Sequence, residues 1–370
     1  LDYHQEHLSQ LKLYAYLYGL INNMSIVPVR LTYISVDDYK TKKFNFILTI
    51  DELKDFFYKS IDDYTRWHQT LSEASTVKLD TLKDITFPFA NKRQGQSELM
   101  KATYLTMKAN SILYAIAPTG IGKTMATIFS TLKSMTKPNE KLFYLTAKTI
   151  GREVAIDSFR MLQNEGLKLH AIVISSKAKS CASKMQHCDP EKCSFAKGYF
   201  SRLRQAIEDI YTNEILYNQE TIMKYALKYN ICPFEYSLDL SYFCDAIICD
   251  YNYVFDPKAH LIRYFEDTEY QPKILCDESH NLVERSKDMY SAEFDSLLPL
   301  RIEEKISSYD KTITKNIRHF YDELKKYDDL VNKDLFYYSH LLDDLMLSSL
   351  KQIVQKAELV LADNKEIKDR

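Results

Sequence analysis

Cysteine residues are concentrated in one stretch of the chain, CASKMQHCDPEKC, where Cys181, Cys188 and Cys193 fall within thirteen residues. A fourth candidate ligand, Cys232, follows in the segment ICPFEYS. Four thiolates can hold a zinc ion or an iron–sulfur cluster. The spacing C-x6-C-x4-C-x38-C differs from the C-x2-C pairs of most zinc sites. The residues alone leave three interpretations open: zinc, a cluster, or unligated thiols.

A second stretch, APTGIGKT (117–124), has the composition of a phosphate-binding loop. It lies between SILYAIA (111–117), a predicted strand, and a predicted helix, so its backbone N–H groups and the helix dipole would face a phosphate. Lys123 would reach the β and γ oxygens, and Thr124 would hold Mg²⁺. Ala117 stands where the strict pattern has glycine, which is tolerable because that residue ends the strand. The predicted nucleotide-binding residues are Thr119, Gly120, Ile121, Gly122, Lys123 and Thr124.

A pair of carboxylates follows a later apolar run, in KILCDESH. Open α/β sheets bind ligands at the carboxyl ends of their strands, where this pair would lie. Asp277 is expected to hold Mg²⁺, and Glu278 to polarise the water that attacks the γ-phosphate. His280 completes the predicted catalytic set.

The elements that would position these residues alternate between strand and helix. Apolar strands separated by helices predict an α/β fold with a parallel sheet covered on both faces. A smaller α/β piece precedes it, and residues 284–370 have only helical, charged sequence. The predicted strands are residues 30–36, 43–50, 111–117, 141–147, 170–175, 245–251 and 273–278, and the predicted N-terminal helices and linker are 5–22, 51–71 and 72–86.

The composition limits the partners and the compartment that the protein can have. The 370 residues carry 49 Lys and Arg against 51 Asp and Glu, a net charge of −2, so nucleic-acid binding would require a local basic patch. Seven cysteines, an odd number, fit a reducing compartment, and no apolar run is long enough to span a membrane. We expect a cytoplasmic protein with no membrane partner. The chain begins at Leu1 without Met and ends in charged helical sequence, so we also expect a fragment of a longer protein.

The order of these motifs resembles the first motor domain of superfamily 2 DExH helicases of the XPD/DinG branch. RQGQ, with Arg93 and Gln96, is similar to the adenine-reading Q motif, and LTAKTIGR (145–152) is similar to motif Ia. DYNYVFDP (250–257) resembles the segment that precedes the DExH box in this branch. The resemblance implies a P-loop RecA-like domain that binds ATP and Mg²⁺ and acts on single-stranded DNA and DNA junctions.

The same resemblance bears on the cysteines, because XPD/DinG enzymes carry a [4Fe–4S] insertion between the phosphate loop and the DExH box. It implies a cluster held by Cys181, Cys188, Cys193 and Cys232. Basic residues surround the motif, with aromatic residues interleaved, a composition suited to single-stranded nucleic acid; a solvated face with core aromatics is the alternative. The basic residues are Lys177, Lys179, Lys184, Lys192, Lys197, Arg202 and Arg204, and the aromatic ones are Phe195, Tyr199 and Phe200.

The first helix contains Gln10 and Tyr14, one turn apart. This pair resembles the Q-x3-Y helix of RecB-like PD-(D/E)XK nucleases, whose metal-binding residues come earlier in the chain. An amphipathic helix with an aromatic stripe explains it as well. We expect a remnant of a nuclease domain that does not cut DNA by itself.

Taken together, these patterns predict an ATP-dependent DNA helicase of DNA repair or replication, moving 5′ to 3′ by resemblance and lacking its second motor domain. Alone it would bind nucleotide weakly and unwind nothing. A metal-containing nucleic-acid-binding module with an ATPase switch, or an ATP-licensed nuclease, are the alternatives. The predicted domains are the nuclease-like part (1–75), motor domain one (76–175 and 241–284), the iron–sulfur insertion (176–240) and the start of a helical arch (285–370).

Overall fold

The computed structural model describes residues 3–36, 39–118, 120–183, 188, 192–257, 261, 263–266, 269–306, 311–327, 330–331, 336–341 and 343–363. Its contacts divide the chain into two compact units, Leu1–Tyr290 and Ser291–Arg370. The finer domain limits drawn from the sequence stay predictions.

The first unit opens with the small α/β piece. Helix α1 (Gln5–Ile21) packs on a hairpin of β1 (Ile26–Ile34) and β2 (Thr41–Thr49), which pair antiparallel. Its core is small: Ala15, Tyr16, Val27 and Leu53. The burial of both strands alternates because only one face meets the helices, and the strands overlap the runs predicted at 30–36 and 43–50.

Helix α2 (Ile50–Asp84) joins this piece to the large sheet. It begins with a capping box in which Thr49 and Glu52 each accept a hydrogen bond from the other's backbone N–H. The predicted linker at 72–86 is wrong, because the helix continues through it. Tertiary burial overrides the polar composition there, since Lys78 and Leu82 are buried.

Five parallel strands form the large sheet, in the order β5-β4-β6-β3-β7. This confirms the predicted α/β fold class with a parallel sheet. The strands are β3 (Glu140–Leu145), β4 (Ala171–Val173), β5 (Leu216–Tyr217), β6 (Ala246–Cys249) and β7 (Gln271–Cys276).

Ten helices follow α2 in the described part of the first unit. They are α3 (Gln96–Ala109), α4 (Lys123–Ser134), α5 (Thr149–Asn164), α6 (Lys177–Ser180), α7 (Tyr199–Asn213), α8 (Gln219–Tyr229), α9 (Pro233–Leu240), α10 (Asn252–Phe255), α11 (Arg263–Glu266) and α12 (Leu282–Tyr290).

Helices cover both faces of the large sheet. On one face α4 and α5 pack with Leu142 and Tyr144 of β3. On the other, α7, α8 and α9 pack with Phe143 and Leu145, the alternate residues of the same strand.

The second unit is helical, as its sequence predicts. It contains α13 (Leu298–Ile306), α14 (Lys311–Lys325) and α15 (Asp344–Asp363). Helix α14 contacts both of the others and buries Ile313, Ile317 and Phe320.

The strand predicted at 111–117 is not part of the sheet. Its apolar side chains are exposed, including Ile112, Tyr114 and Ile116. A strand requires a neighbour that takes its backbone hydrogen bonds. The sheet ends at β7, which pairs only with β3 among the residues that the structure describes, so this run has no ladder partner there.

The amino ends of the strands are tied to α2 by buried charge. Lys78 Nζ lies 2.7 Å from Asp245 Oδ1 and donates to the carbonyl of Pro138 at 2.8 Å. Asp245 Oδ2 also accepts from the backbone N–H of His170 at 3.2 Å. The His170 ring stacks on Tyr211 with 3.9 Å between centroids.

Burial lowers the pKa of His170 to about 4; the charge of Lys78 acts the same way, and that of Asp245 opposes it. Because the unfolded histidine titrates near its ordinary value of about 6.5, the unfolded state binds more protons between these two values. His170 therefore stabilises the fold fully above about pH 6.5, and this contribution is lost as pH falls toward 4.

We predict that the free energy of unfolding falls by about 3 kcal/mol more in the wild type than in His170→Asn between these pH values. Urea unfolding at several pH values measures the difference. His68→Asn, which replaces a histidine of α2, is the control for the loss of one imidazole. Equal slopes for wild type and His170→Asn would show that His170 is not the titrating group.

Candidate nucleotide-binding site and cysteine segment

The carboxyl ends of β3 and β7 meet at one edge of the sheet. The two strands pair in register, with Leu145 opposite Cys276, and the backbone N–H of Asp277 donates to the Leu145 carbonyl at 2.9 Å. Helix α4 starts at Lys123 and contacts both strands. The fold therefore brings the glycine-rich loop and the DExH segment to the same edge, as the sequence predicts.

The glycine-rich loop has the backbone that its glycines allow. Gly120 and Gly122 have φ values of +84° and +81°, in the left-handed region that other residues rarely adopt. Lys123 Nζ donates to the carbonyl of Ala117 at 3.1 Å, so its side chain turns back over the loop. Thr119 lies outside the described residues.

The predicted Q-motif residues support this loop directly. The buried Gln96 carboxamide accepts from the backbone N–H of Arg93 at 3.1 Å and donates to the Gly122 carbonyl at 3.4 Å. A Cβ at Gly122 would lie 2.7 Å from Gln96 Nε2, so the contact requires glycine. Ile121 is half-buried, and its Cδ1 would lie 3.2 Å from a Cβ at Gly95. Adenine recognition by Arg93 and Gln96 stays a prediction.

Opposite the loop, Asp277 is half-buried at the end of β7. Burial raises its pKa, and the neighbouring Glu278 adds to this, while a hydrogen bond from Tyr144 and the charge of Lys123 act in the other direction. Tyr144 Oη also lies 3.4 Å from Thr124 Oγ1. The structure thus connects the first turn of α4 to the acidic strand end.

Glu278 has an unusual backbone, with φ +53° in the left-handed region. Such strain in a residue other than glycine is concentrated at functional sites. The Tyr251 hydroxyl holds this turn by donating to the carbonyls of Asp277 and Glu278. His280 is exposed, and its Nδ1 lies 3.6 Å from Glu278 Oε2.

Three residues of the site were missed at the sequence level: Tyr144, Gly151 and Tyr251. A Cβ at Gly151 would collide with Thr146 Oγ1 and lie 3.0 Å from Asp277 Oδ2, so glycine lets α5 approach the carboxylate. Gly151 lies in LTAKTIGR and Tyr251 lies in DYNYVFDP, two motifs that carry the resemblance to the helicases. Tyr144 belongs to no motif, because in the sequence it is one more residue of an apolar strand.

The donor set at this edge fits Mg²⁺. The Thr124 hydroxyl and the Asp277 carboxylate are oxygen ligands, which this ion prefers, and two protein ligands plus phosphate oxygens are its usual arrangement in phosphoryl-transfer sites. Bound Mg²⁺ would neutralise part of the charge of the β- and γ-phosphates.

The four predicted cysteine ligands differ in exposure. Cys193 is buried, Cys232 is half-buried, and Cys181 and Cys188 are exposed. Cys232 is the N-cap residue of α9. Burial raises the pKa of its thiol, and the nearby backbone N–H groups of Glu235 and Phe234 act in the opposite direction. No three His, Cys, Asp or Glu side chains among the residues described by the structure are arranged to hold a metal ion.

Basic side chains organise the segment around these thiols. Burial opposes the charge of Lys177, but the neighbouring Cys188, Glu235 and Cys232 raise the pKa of this lysine overall. Arg202 Nη2 donates to the carbonyls of Lys197 and Asn230, each at 2.8 Å, and so joins the segment after Cys193 to the segment before Cys232. Because burial raises the pKa of the Cys232 thiol, a bound metal would have to supply the positive charge that holds this sulfur as a thiolate.

The basic patch is smaller than the sequence predicts. Arg202 is used internally, Arg204 pairs with Glu208 at 2.8 Å, and Lys177 lies 3.9 Å from Glu235. Lys179, Lys192 and Lys197 are exposed, and Lys184 lies outside the described residues.

The aromatic residues of this segment also divide. Tyr199 is buried and donates to Asp239 at 2.7 Å, and Phe195 is half-buried. Phe200 is 76% exposed, and its ring makes an edge contact with Tyr199, with 5.3 Å between centroids. Within the part of the chain covered by the structure, no helix is long and apolar enough to cross a membrane.

Comparison with known proteins adds sequence relatives. The DEAD_2 family model matches residues 162–297. The XPD helicase subunit of the general transcription and DNA repair factor IIH of Dictyostelium discoideum is 28% identical over 145 residues, 39% of this chain and 17% of that protein. A homologue of regulator of telomere elongation helicase 1 from Aedes aegypti is 30% identical over 124 residues, 33% of this chain and 11% of that protein.

The match to a solved XPD helicase structure covers 71% of this chain and 48% of that chain, with 19% sequence identity and a TM-score of 0.44. The match to each curated relative spans less than a fifth of that protein's length. Over these segments the chain is similar in sequence to helicases of the XPD/DinG type.

Proposed function

We propose that the chain supplies the first motor half of an ATP-dependent DNA helicase that moves 5′ to 3′ on single-stranded DNA. The observation that carries this proposal is the shared edge of the sheet. There the loop residues Lys123 and Thr124 and the carboxylates Asp277 and Glu278 lie together, linked through Tyr144.

Each side chain has a distinct task in ATP hydrolysis. Lys123 would leave the Ala117 carbonyl to bind the β and γ oxygens, and Thr124 and Asp277 would hold Mg²⁺. Glu278 orients and polarises the attacking water, helped by the turn that Tyr251 fixes. Gln96 donates a hydrogen bond to the Gly122 carbonyl and in this way couples adenine binding to the conformation of the loop.

DNA is proposed to pass the cysteine segment. Its exposed lysines and Phe200 provide charge for the phosphates and a stacking face for a base. A [4Fe–4S] cluster on Cys181, Cys188, Cys193 and Cys232 would rigidify this segment and take no part in hydrolysis. The support for it is the four-thiol donor set, which suits such a cluster.

The N-terminal piece is proposed to be the nuclease remnant. Gln10 Nε2 donates to Tyr14 Oη at 3.2 Å across one turn of α1. This pair is compatible with the Q-x3-Y helix, and the assignment stays a prediction.

Nucleotide binding tests the proposal on this chain. We predict that it binds Mg·ATP and that Lys123→Ala weakens the affinity at least about tenfold, because a charge-assisted contact to phosphate contributes about 1.5–3 kcal/mol. Isothermal titration calorimetry measures both. Lys101→Ala, an exposed lysine on α3, should bind as the wild type does. A wild-type chain without affinity for Mg·ATP, or equal binding by Lys123→Ala, would contradict the proposal.

Visible absorption tests the cluster. We predict that the anaerobically purified chain is coloured, contains iron and acid-labile sulfide in equal amounts, and loses both in Cys188→Ser. Cys244→Ala removes a buried thiol of the core outside the predicted set and should leave the spectrum unchanged. A colourless chain with bound zinc would overturn the cluster and leave the nucleotide site standing.

A further inference from the structure

The Tyr144 side chain reaches both halves of the nucleotide site. Tyr144 is the penultimate residue of β3 and is 1% exposed. Its ring packs under α4 in the core that includes Leu142 and Ile128. Its hydroxyl lies at the carboxyl ends of the strands and donates to Thr124 Oγ1 at 3.4 Å. Burial raises the pKa of Asp277, and this hydroxyl beside the carboxylate acts in the opposite direction.

The ring alone explains the core packing, and a phenylalanine would fill the same volume. Burial of the hydroxyl costs free energy unless the group is hydrogen-bonded, because it loses its hydrogen bonds to water. At Tyr144 both available partners, Thr124 and Asp277, are the oxygen donors that suit Mg²⁺. The hydroxyl is thus tied to the site and not to the core around it.

The Tyr144 hydroxyl has one proton and donates it to Thr124 Oγ1 at 3.4 Å. A hydroxyl oxygen has two lone pairs, so Thr124 Oγ1 keeps one of them for a metal ion. The Asp277 carboxylate is the second acceptor beside the same hydroxyl. One buried group therefore adjoins both oxygen ligands.

We propose that Tyr144 is a positioning residue that sets the Thr124 hydroxyl and the Asp277 carboxylate at the spacing Mg²⁺ needs. This inference rests on the proposed function. Tyr144 touches neither phosphate nor metal; it acts through the two ligands. Residues that orient metal ligands in this way contribute about 10–100-fold to metal affinity.

Tyr144→Phe removes the hydroxyl and keeps the ring. We predict that the 370-residue chain saturated with ADP binds Mn²⁺ about tenfold more weakly in this variant. The electron paramagnetic resonance signal of free Mn²⁺ measures that affinity. ADP affinity in EDTA should stay as in the wild type, since no metal takes part.

Tyr236→Phe is the matched control. Tyr236 is also a fully buried tyrosine, but its hydroxyl donates to the Ala206 carbonyl at 2.6 Å, on the other face of the sheet. It should leave Mn²⁺ affinity unchanged while losing a comparable amount of thermal stability. Such a result separates positioning of the metal ligands from a general loss of packing.

Two results would overturn the inference, and they differ. If the wild-type chain binds ADP-dependent Mn²⁺ and Tyr144→Phe binds it equally, Tyr144 has no positioning role and the proposed function survives. If the wild-type chain binds no Mn²⁺ with saturating ADP, the nucleotide site itself is wrong and the inference falls with it.

Discussion

The pairing of β7 with β3 is the constraint on which the site depends. It places Asp277 directly beyond Leu145, whose carbonyl accepts its backbone N–H. Parallel strands end at the same edge, so the residues after them come together without any direct sequence proximity. Alternation along β3 then sends Tyr144 toward α4, where it meets Thr124. A slip of one residue would turn this hydroxyl to the other face.

Buried ion pairs hold the amino ends of the strands. There Lys78 links α2 to Asp245 and to the Pro138 carbonyl, and Glu140 pairs with Lys273 at 3.1 Å, with both side chains 7% exposed. Breaking a buried pair by removing one partner costs about 3–5 kcal/mol. Fixing the amino ends in this way leaves the carboxyl ends to loops, which can rearrange around a ligand.

Periodicity and apolar runs predicted most of this architecture. The parallel sheet, the two N-terminal strands and the convergence of the glycine-rich loop with the DExH segment all follow from local patterns. Two features do not. The linker at 72–86 is helical because burial of Leu82 and Lys78 is a tertiary effect, and the run at 111–117 is unpaired because pairing depends on a neighbour, which no single segment encodes.

Site residues with a motif could be predicted, and supporting residues could not. Lys123, Thr124 and Asp277 have diagnostic neighbours, whereas Tyr144 acquires its role only from strand register. Gly151 is similar, because its importance lies in how closely α5 approaches Asp277. The basic patch was overestimated for a related reason, since sequence does not distinguish an exposed cation from one, like Arg202, that binds backbone carbonyls.

The central claim is that the first turn of α4 and the acidic end of β7 act on one Mg·ATP. A double-mutant cycle tests it most directly, with calorimetric Mg·ATP affinities for the wild type, Thr124→Ala, Asp277→Asn and the double variant. Groups that hold the same ion should be coupled by at least about 1 kcal/mol, so the double variant should bind little worse than the weaker single variant. Effects that add to within about 0.5 kcal/mol would show that the two residues act independently and would contradict the claim.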